Sequence, residues 1–456
     1  MIPLVNSEYD EHFWPKIANN LKKKGFNVLF ITTTKYGDKC VIKNGFEFIN
    51  INDMVADFKD LDINKECLRL KNEYELGNLR KLYFSEKYRE HFTSNDSELI
   101  IKTVNYLLAI EKVFNDYQVK FVVHHIGGEI IRRSFFLMGP KFGVKNVFIQ
   151  FSPINWTSFF GTSLPILLDD VWMHEQISGE ELLKIESYLK KFKAKKELMH
   201  INYYHSSGVL KKLFQNLKSK YGTYIRSDYN LFEAINITLS LIIRRCIFNK
   251  IYYPNIKKSL EICEKGKYFF FPIQYTRESR LTAYNPEYLN PDCFIKMIKE
   301  ELPDGYKLLV KDHPHWVGDL PHKIIRNIHK MENVYFLNPN TSTHEIIEKS
   351  SAIITINSDV AYEALLYKKP VVTFGDEYFT GHGLTIDVDN IKNASKAFLK
   401  ALEKDVIDNV QLLKFINMIF KNSHPGICWG SLETENIENL VNSLLKFCNL
   451  KANLND

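Results

Sequence analysis

The chain has 456 residues, 45% of them hydrophobic and 25% charged, so it can fill the cores of two domains and shows no bias towards disorder. Its formal charge is +6, but the sequence contains no aromatic RNP motif, zinc knuckle or recognition-helix signature. We therefore expect no nucleic-acid partner. Seven dispersed cysteines without a CxxC pair predict reduced thiols in the cytoplasm, no disulfide framework and no metal site.

No export signal or membrane-spanning helix is expected. Charged residues at positions 8, 10 and 11 precede any sustained apolar run. The longest lipophilic stretch, residues 231–248, is interrupted by Glu233, Arg244 and Arg245, which makes it too polar to cross a bilayer. We therefore expect a cytoplasmic protein, attached at most peripherally to the inner face of the cell membrane.

The first 165 residues alternate predicted helices with predicted buried strands. Helices are expected over 16–24 and 130–138, and strands over 28–31, 45–51, 119–124 and 144–151. This alternation predicts a parallel sheet of the Rossmann type. We assign residues 1–165 to an N-terminal Rossmann-like domain.

Glu129 is the carboxylate of this half that best suits a catalytic role. It follows Gly127 and Gly128 at the junction of a strand and a helix, with His124 and Arg132 nearby. At such a junction the carboxylate could serve as a general acid or base. The alternative is that its charge only complements the positive N-terminus of the helix.

Residues 265–430 contain three motifs, each at the end of a predicted strand. Strands are expected over 268–273, 306–310 and 352–357, and helices over 292–301 and 360–367. In an open parallel sheet, ligands bind beyond the carboxyl ends of the strands, where Gln274, His313 and Ser358 would all emerge. The sequence thus predicts a second Rossmann-like domain with a ligand site in these loops.

The loop after the third strand suits an anion. Asn357 and Ser358 lead directly into a helix, offering a phosphate backbone N–H groups, a hydroxyl donor and the positive end of the helix dipole. Glu363, in that helix, could accept hydrogen bonds from the ribose of a nucleotide. The alternative is that Ser358 only caps the helix and Glu363 pairs with a surface lysine. Asp359 would repel a bound anion unless its carboxylate points away.

The loop after the second strand should be a rigid turn. Pro314 disfavours helical geometry for His313, so the imidazole would project into the ligand crevice. There His313 or Lys311 could hold phosphates and stabilise the charge on a departing nucleotide. His-Pro dipeptides are also common in ordinary turns.

Two further loops carry polar or glycine-rich sequence. In residues 274–280, Arg277 and Glu278 could face a polar ligand, although a solvated connection would have the same composition. Gly383 lies in the segment 375–385, whose three glycines suit either a close approach to a ligand or a surface turn.

These motifs and their order resemble the capsule polysaccharide biosynthesis family, whose best-understood members are bacterial Kdo (3-deoxy-octulosonic acid) transferases of the GT-B type. The resemblance rests on Pro272-Ile273-Gln274, Lys311 to Pro314, Ser358 before Glu363-Ala364-Leu365, Lys369 to Val371, and Gly383 to Thr385. It implies an α/β fold of the GT-B kind, with two Rossmann-like domains facing a central cleft. It also implies a glycosyltransferase, for which we expect neither a cofactor nor a metal.

The resemblance implies a role for individual residues as well. His313 and Ser358 would contact the donor phosphate and Glu363 the ribose. The donor-binding candidates are Gln274, Arg277, Lys311, His313, Pro314, Asn357, Ser358, Glu363 and Gly383, and the catalytic candidates are Glu129, His313 and Glu278. The donor would be a nucleotide-activated sugar, best matched by a CMP-linked ulosonic acid such as Kdo, and the acceptor a glycan or glycolipid.

Two other functions are compatible with the same motifs. A glycerol- or ribitol-phosphate transferase of the teichoic-acid polymerase type also uses a GT-B frame and a His-Pro turn. A non-catalytic partner in capsule assembly or export could keep the fold without the chemistry. Release of CMP without transfer of phosphate would distinguish the sugar transferase from the polymerase.

Residues 181–260 form a basic zone, with 16 Lys and Arg against 5 Asp and Glu. Basic residues interleaved with apolar ones suit peripheral contact with an anionic membrane, and they equally suit a solvated helical connector. We assign residues 166–264 to a basic, largely helical connector and 431–456 to a C-terminal helix that packs back on the N-terminal domain.

Overall fold

A computed structural model of the chain describes residues 2–6, 13–89, 95–195, 251–276, 278–314, 317, 320–403, 407–428 and 431–450. By their contacts, the described residues divide into two compact units. The first unit holds those up to Ile166 together with those from Asn422 onwards, and the second holds those from Leu167 to Lys421. Residues 196–250 lie outside the described residues, and they make up most of the basic zone. Arg277 also lies outside them.

A seven-stranded sheet forms the centre of the first unit. Its strands are β1 (Ile2–Asn6), β2 (Val28–Thr32), β3 (Glu47–Asn50), β4 (Phe121–His125), β5 (Lys145–Phe151), β6 (Thr157–Gly161) and β13 (His424–Pro425). Their order across the sheet is β13-β6-β5-β4-β1-β2-β3. The five strands β5, β4, β1, β2 and β3 pair in parallel. At one edge β6 pairs antiparallel with β5, and β13 pairs antiparallel with β6. The parallel part has the strand order of a Rossmann-like domain.

The helices of this unit include one from the far end of the chain. They are α1 (Trp14–Lys23), α2 (Lys35–Lys43), α3 (Ile51–Val55), α4 (Ile63–Glu73), α5 (Arg80–Arg89), α6 (Asp96–Asp116), α7 (Ile130–Met138) and α17 (Thr434–Phe447). The apolar face of α17, with Leu440 and Leu444, shares a buried core with Trp14 and Leu21 of α1. This burial ties the C-terminal helix to the N-terminal sheet.

A six-stranded sheet forms the centre of the second unit. Its strands are β7 (Tyr268–Pro272), β8 (Lys307–Lys311), β9 (Val334–Leu337), β10 (Ala352–Thr355), β11 (Val371–Thr373) and β12 (Ile386–Asp387). The order is β12-β11-β10-β7-β8-β9, and every pair is parallel. All five residues of β7 are buried, as expected for a central parallel strand covered on both faces.

The helices of the second unit are α8 (Val171–His174), α9 (Gly179–Lys195), α10 (Ile256–Glu264), α11 (Pro291–Glu300), α12 (His322–His329), α13 (Thr343–Lys349), α14 (Val360–Leu366), α15 (Ala394–Lys400) and α16 (Asn409–Asn422). Aromatic contacts fasten α11 to the sheet, since the Phe294 ring lies 5.3 Å from that of Phe271 and 5.2 Å from that of Phe374. No helix among the described residues combines the length and hydropathy needed to cross a membrane.

The α/β class with two Rossmann-like domains is confirmed, while several predicted boundaries differ from the structure. The strand expected over 352–357 ends at Thr355, because the Ser358 N–H donates to the Thr355 hydroxyl over 3.0 Å and closes a turn. The described parts of the expected connector, 167–195 and 251–264, belong to the second unit.

Candidate functional site

Two of the predicted site residues of the second unit, Gln274 and Asn357, meet where the strand order of its sheet reverses. Strands β7 and β10 are neighbours there, although β8 and β9 separate them along the chain. Gln274 follows β7 and Asn357 follows β10, and the Gln274 amide donates to Asn357 Oδ1 over 2.5 Å. The Asn357 N–H in turn donates to Gln274 Oε1 over 3.3 Å. The switch point of the sheet is thus fixed by a buried pair of side-chain amides.

Asn357 also anchors the loop that follows β7. Its amide nitrogen donates to the Arg280 carbonyl over 2.8 Å and to Asn285 Oδ1 over 2.9 Å. Gly375 packs against the Asn285 side chain, since a Cβ there would lie 2.6 Å from Asn285 Oδ1. Asn357 is 1% exposed, so its observed role is to join its own loop to the segment after β7 rather than to meet a ligand.

Arg280 is the centre of a charged cluster that the sequence did not single out. Its Nη1 lies 3.2 Å from both carboxylate oxygens of Asp359, and its Nε lies 3.7 Å from Glu377 Oε1. Tyr378 donates to Asp359 Oδ1 over 3.2 Å. Burial alone would lower the pKa of Arg280, but Asp359 and Glu377 outweigh it and raise that pKa well above its ordinary value. The guanidinium therefore remains charged and compensates the carboxylate that was expected to repel an anion.

Ser358 and Glu363 differ in their access to solvent. Ser358 is half-buried, and its hydroxyl accepts from the Val360 N–H over 3.4 Å at the start of α14. Glu363 lies in the first turn of α14 and is 4% exposed. Its carboxylate interacts electrostatically with the buried Lys311, whose pKa burial lowers and Glu363 raises.

Strand β8 ends at the buried Lys311, and the turn after it continues through the buried Asp312 to the exposed His313. Lys311 is 6% exposed and donates to the Pro339 carbonyl over 3.3 Å. Burial lowers the pKa of Lys311 to about 8, although Glu363 and Asp312 oppose the shift. Asp312 is held by the Tyr253 hydroxyl at 2.8 Å and accepts from the His313 N–H at 2.8 Å. His313 itself is exposed, so the imidazole is the accessible group of this turn.

The remaining donor-binding candidates lie in three different settings. Pro314 is half-buried in the turn after β8, and Arg277 lies outside the described residues. The Glu278 side chain is 40% exposed and its Oε1 lies 3.8 Å from Arg280 Nε. Gly383 has a φ of +73°, which favours glycine, and a Cβ there would lie 2.6 Å from the amide nitrogen of the flexible Gln411 side chain.

Gly383 lines a pocket of about 540 Å³ within the second unit. The other lining residues are Asp170, Met173, His174, Gly381, His382, Asp408, Val410, Gln411 and Lys414. Burial lowers the pKa of His382. Of the donor-binding candidates that the structure describes, Gly383 alone belongs to this pocket, so the structure places it apart from the cluster around Asn357.

In the first unit, Glu129 occupies the N-cap position of α7 without making a side-chain capping bond. Its Oε2 lies 3.6 Å from Arg132 Nε. Arg132 is 3% exposed and donates to the His125 carbonyl over 2.9 Å. The sequence analysis placed Arg132 near Glu129, and the structure shows the two side chains as an ion pair.

His124 is a buried structural residue. It is fully buried, stacks on Phe148 with ring centroids 4.9 Å apart, and its Nε2 lies 2.8 Å from Asn146 Oδ1. Burial lowers the pKa of His124 to about 3, despite the opposing effect of Asn146. The ring therefore stays neutral in the folded protein near neutral pH.

We expect His124 to make the protein acid-sensitive. Between the ordinary histidine pKa of about 6.5 and the folded value, the unfolded chain binds the extra proton, so stability falls by about 1.4 kcal/mol per pH unit as the pH decreases. His124→Gln should show a shallower fall in the free energy of unfolding, measured by urea denaturation between pH 7 and pH 5. Equal slopes for the two proteins would contradict a neutral buried imidazole.

Comparison with known proteins adds the family. A family model described as "Capsule polysaccharide biosynthesis protein" matches residues 183–420, just over half of the chain. The chain belongs to this family. The matched part of this capsule biosynthesis protein contains every donor-binding candidate, whereas Glu129 precedes it. The family resemblance predicted from the motifs is therefore confirmed.

Individual relatives of this capsule biosynthesis protein are distant. Protein FixF of Sinorhizobium fredii (strain NBRC 101917 / NGR234) is 28% identical over 122 residues, which are 26% of this chain and 29% of FixF. Two solved structures from Thermosulfurimonas dismutans, KpsC beta Kdo 2,4 transferase and KpsC beta Kdo 2,7 transferase, are each 11% identical. They cover 64% and 82% of this chain, and 78% and 98% of their own, with TM-scores of 0.36 and 0.37.

Proposed function

We propose that this protein is a glycosyltransferase that moves a sugar from a nucleotide donor to a glycan or lipid-linked acceptor. The observation that carries the proposal is the placement of Gln274, Lys311 and Asn357 at the carboxyl ends of the neighbouring strands β7, β8 and β10. In open parallel sheets, nucleotides bind at this edge, where the strand order reverses. Membership in the capsule polysaccharide biosynthesis family supports a role in making surface glycans.

We assign direct donor contacts to the accessible groups of this edge. His313 is exposed and Ser358 is half-buried, so both can reach a phosphate. Lys311 and Glu363 are each less than a tenth exposed, which favours a supporting role: they set the local charge and hold the two loops together. An exposed imidazole near the phosphate would stabilise negative charge on the departing nucleotide.

For the donor we propose a CMP-linked ulosonic acid such as Kdo, on the resemblance of the motifs. Glu278 is half-buried beside the edge, with 40% of its side chain exposed, and is the candidate for contact with the sugar. The first unit would supply the general base for the acceptor, for which Glu129 is the candidate. Independence from metals and cofactors remains a prediction.

Thermal unfolding in the presence of CMP, CDP, UMP, UDP and GDP tests the proposal. A ligand that binds only the folded state stabilises it by about 2.7 kcal/mol at a hundred times its Kd, which raises Tm. We expect a selective rise with CMP that His313→Ala and Ser358→Ala each reduce. His322→Ala, at an exposed histidine of α12, is the matched control and should keep the full rise.

The outcomes separate the alternatives. A selective rise with UDP or GDP would keep the transferase and overturn the CMP donor. No rise with any nucleotide would contradict the proposed function and favour a non-catalytic role in capsule assembly. If CMP raises Tm, an assay for sugar transfer with release of CMP then distinguishes the transferase from an alditol-phosphate polymerase.

Contact with an anionic membrane is a further part of the proposal. Helix α9 exposes Lys184, Lys190, Lys191 and Lys193, which suits attraction to acidic lipids. The rest of the basic zone up to residue 250 lies outside the described residues. Sedimentation with vesicles containing phosphatidylglycerol, compared with phosphatidylcholine alone, would test this contact.

A further inference from the structure

The pocket beside Gly383 is lined by polar side chains that the fold does not use. Asp170 and Lys414 both line it, and neither side chain makes a hydrogen bond or an ion pair with any residue that the structure describes. Within the described part of the chain, the same holds for the side chain of His174, which is exposed at the end of α8. Polar groups that line a concavity in this way are available to a ligand.

The glycine-containing wall of the pocket is held in place by hydrogen bonds. The Gly381 N–H donates to Asp387 Oδ2 over 2.9 Å, and the His382 carbonyl accepts from the Gln411 amide over 2.6 Å. Since Gly381 and Gly383 carry no side chains, a ligand can approach the backbone of this wall closely. The wall is thus ordered before a ligand arrives, which lowers the cost of binding.

Helix α16 presents one of its faces to the pocket. Val410, Gln411 and Lys414 all line it, and positions 411 and 414 are neighbours on the helix surface. Gln411 is fixed through its amide nitrogen, and no described residue donates to its Oε1. This face therefore offers an acceptor and a donor together, while Val410 and the half-buried Met173 add apolar surface.

The balance of groups favours an uncharged, hydroxyl-rich ligand. Each hydroxyl of a sugar both donates and accepts, so a sugar ring can use carboxylates and an ammonium side by side. Apart from two imidazoles, the lining carries the carboxylates of Asp170 and Asp408 against one ammonium, that of Lys414. Burial lowers the pKa of His382, so this imidazole adds no positive charge near neutral pH. The pocket thus lacks the excess of cations that a phosphate or an acidic sugar requires.

The loop after β11 connects the pocket to the edge proposed for the nucleotide. Tyr378 of this loop donates to Asp359, the residue after Ser358, over 3.2 Å. The His382 imidazole lines the pocket and bonds to the backbone of the same Tyr378. Neither Ser358 nor His313 lines the pocket. A ligand there would lie next to the nucleotide edge without occupying it.

We propose that this pocket is a subsite for an uncharged sugar residue of the acceptor, separate from the nucleotide, an inference that rests on the glycosyltransferase function proposed above. Asp170 and Asp408 accept from the sugar hydroxyls, and Lys414 donates to them. Met173 and Val410 pack against the apolar face of the ring. All of these residues belong to the second unit, so the subsite is complete within it.

Saturation-transfer difference NMR of the full chain with single sugars tests this subsite. The panel is glucose, galactose, mannose, rhamnose, N-acetylglucosamine and N-acetylgalactosamine, each at tens of millimolar, with glucuronic acid as the acidic comparison. We expect at least one uncharged sugar to bind, and glucuronic acid to bind at least tenfold more weakly than the best of them. No binding by any uncharged sugar, or tightest binding by glucuronic acid, would overturn the proposal.

Lys414→Met locates the binding. The Lys414 side chain has no described partner, so the variant should keep the wild-type Tm. It should raise the Kd of the bound sugar at least tenfold, because a charged hydrogen-bond donor is lost, and Asp170→Asn should raise it by a smaller factor. Lys396→Met, at an exposed position of α15 outside the pocket, is the matched control and should keep the wild-type Kd. A wild-type Kd in Lys414→Met would place the sugar elsewhere and refute the subsite.

Nucleotide binding separates this inference from the function beneath it. CMP should still raise the Tm of Lys414→Met, and it should not displace the sugar from the wild type. Competition between CMP and the sugar would assign the pocket to the donor and overturn a separate subsite. A rise in Tm with a nucleotide but no sugar binding contradicts this inference alone. Sugar binding without a rise for any nucleotide supports the pocket and contradicts the proposed function.

Discussion

Arg280→Met is expected to destabilise the second unit by about 3 kcal/mol, because it removes the arginine that lies beside the buried Glu377 carboxylate. Glu377 is 3% exposed and lies 3.7 Å from Arg280 Nε, so its charge would lose its compensation inside the protein. Asp359 lies 3.2 Å from the guanidinium but is 37% exposed, and water would replace part of its lost partner. This difference places the loss at the lower end of the range for a broken buried pair. Urea denaturation of the purified variant measures it.

Two companion variants make this result specific. Glu377→Met in the Arg280→Met background removes the stranded charge and should restore part of the lost stability. Arg280→Lys keeps a positive charge and should lose less than Arg280→Met, although an ammonium cannot span both carboxylates. An Arg280→Met protein as stable as the wild type would show that the cluster does not depend on this ion pair.

Gly426→Ala is expected to cost on the order of 4 kcal/mol in the first unit. Gly426 has a φ of +97°, which side chains rarely adopt, and a Cβ there would lie 2.4 Å from the backbone nitrogen of Leu440 in α17. Unlike a flexible side chain, a helix backbone cannot move aside without disturbing its core. The Tm and the free energy of unfolding should both fall, with unfolding monitored by circular dichroism.

Gly45→Ala is the matched control for this prediction. Gly45 lies in the same unit with a φ of +72°, and a Cβ there would have nothing within 4 Å. It therefore carries the backbone penalty of about 1 kcal/mol without the collision. If both variants lose the same stability, the proximity of Gly426 to α17 does not contribute.

The sequence predicted the strands β2 to β5, β7, β8 and β10 because they are continuous apolar runs, and it did not predict β1, β6 and β9. Tyr268 to Pro272 is aromatic and fully buried, and α7 was predicted over its observed bounds, 130–138. Side-chain bonds set the boundaries that were missed. Asn50, for example, accepts from the Asn52 N–H and starts α3 where the strand had been expected to continue.

The sequence predicted where in the second sheet the candidate site lies, but it did not predict most of the side-chain contacts within the site. A strand followed by polar residues marks the carboxyl edge of a sheet, which is why Gln274 and Asn357 could be named in advance. Their bond to one another could not, because it joins positions 83 apart in sequence. Arg280 and Glu377 were missed because each lies in a segment whose polar composition would equally suit a solvent-exposed connection. They are far apart in sequence, and only the fold brings them together.

The return of the chain to its first sheet has a consequence for synthesis on the ribosome. The core around Trp14 is closed by α17, whose residues emerge more than 400 positions later. All of the described second unit is translated before that helix appears. We therefore expect the second unit to fold while the first still exposes an apolar surface, and the nascent N-terminal half to bind chaperones until translation is nearly finished.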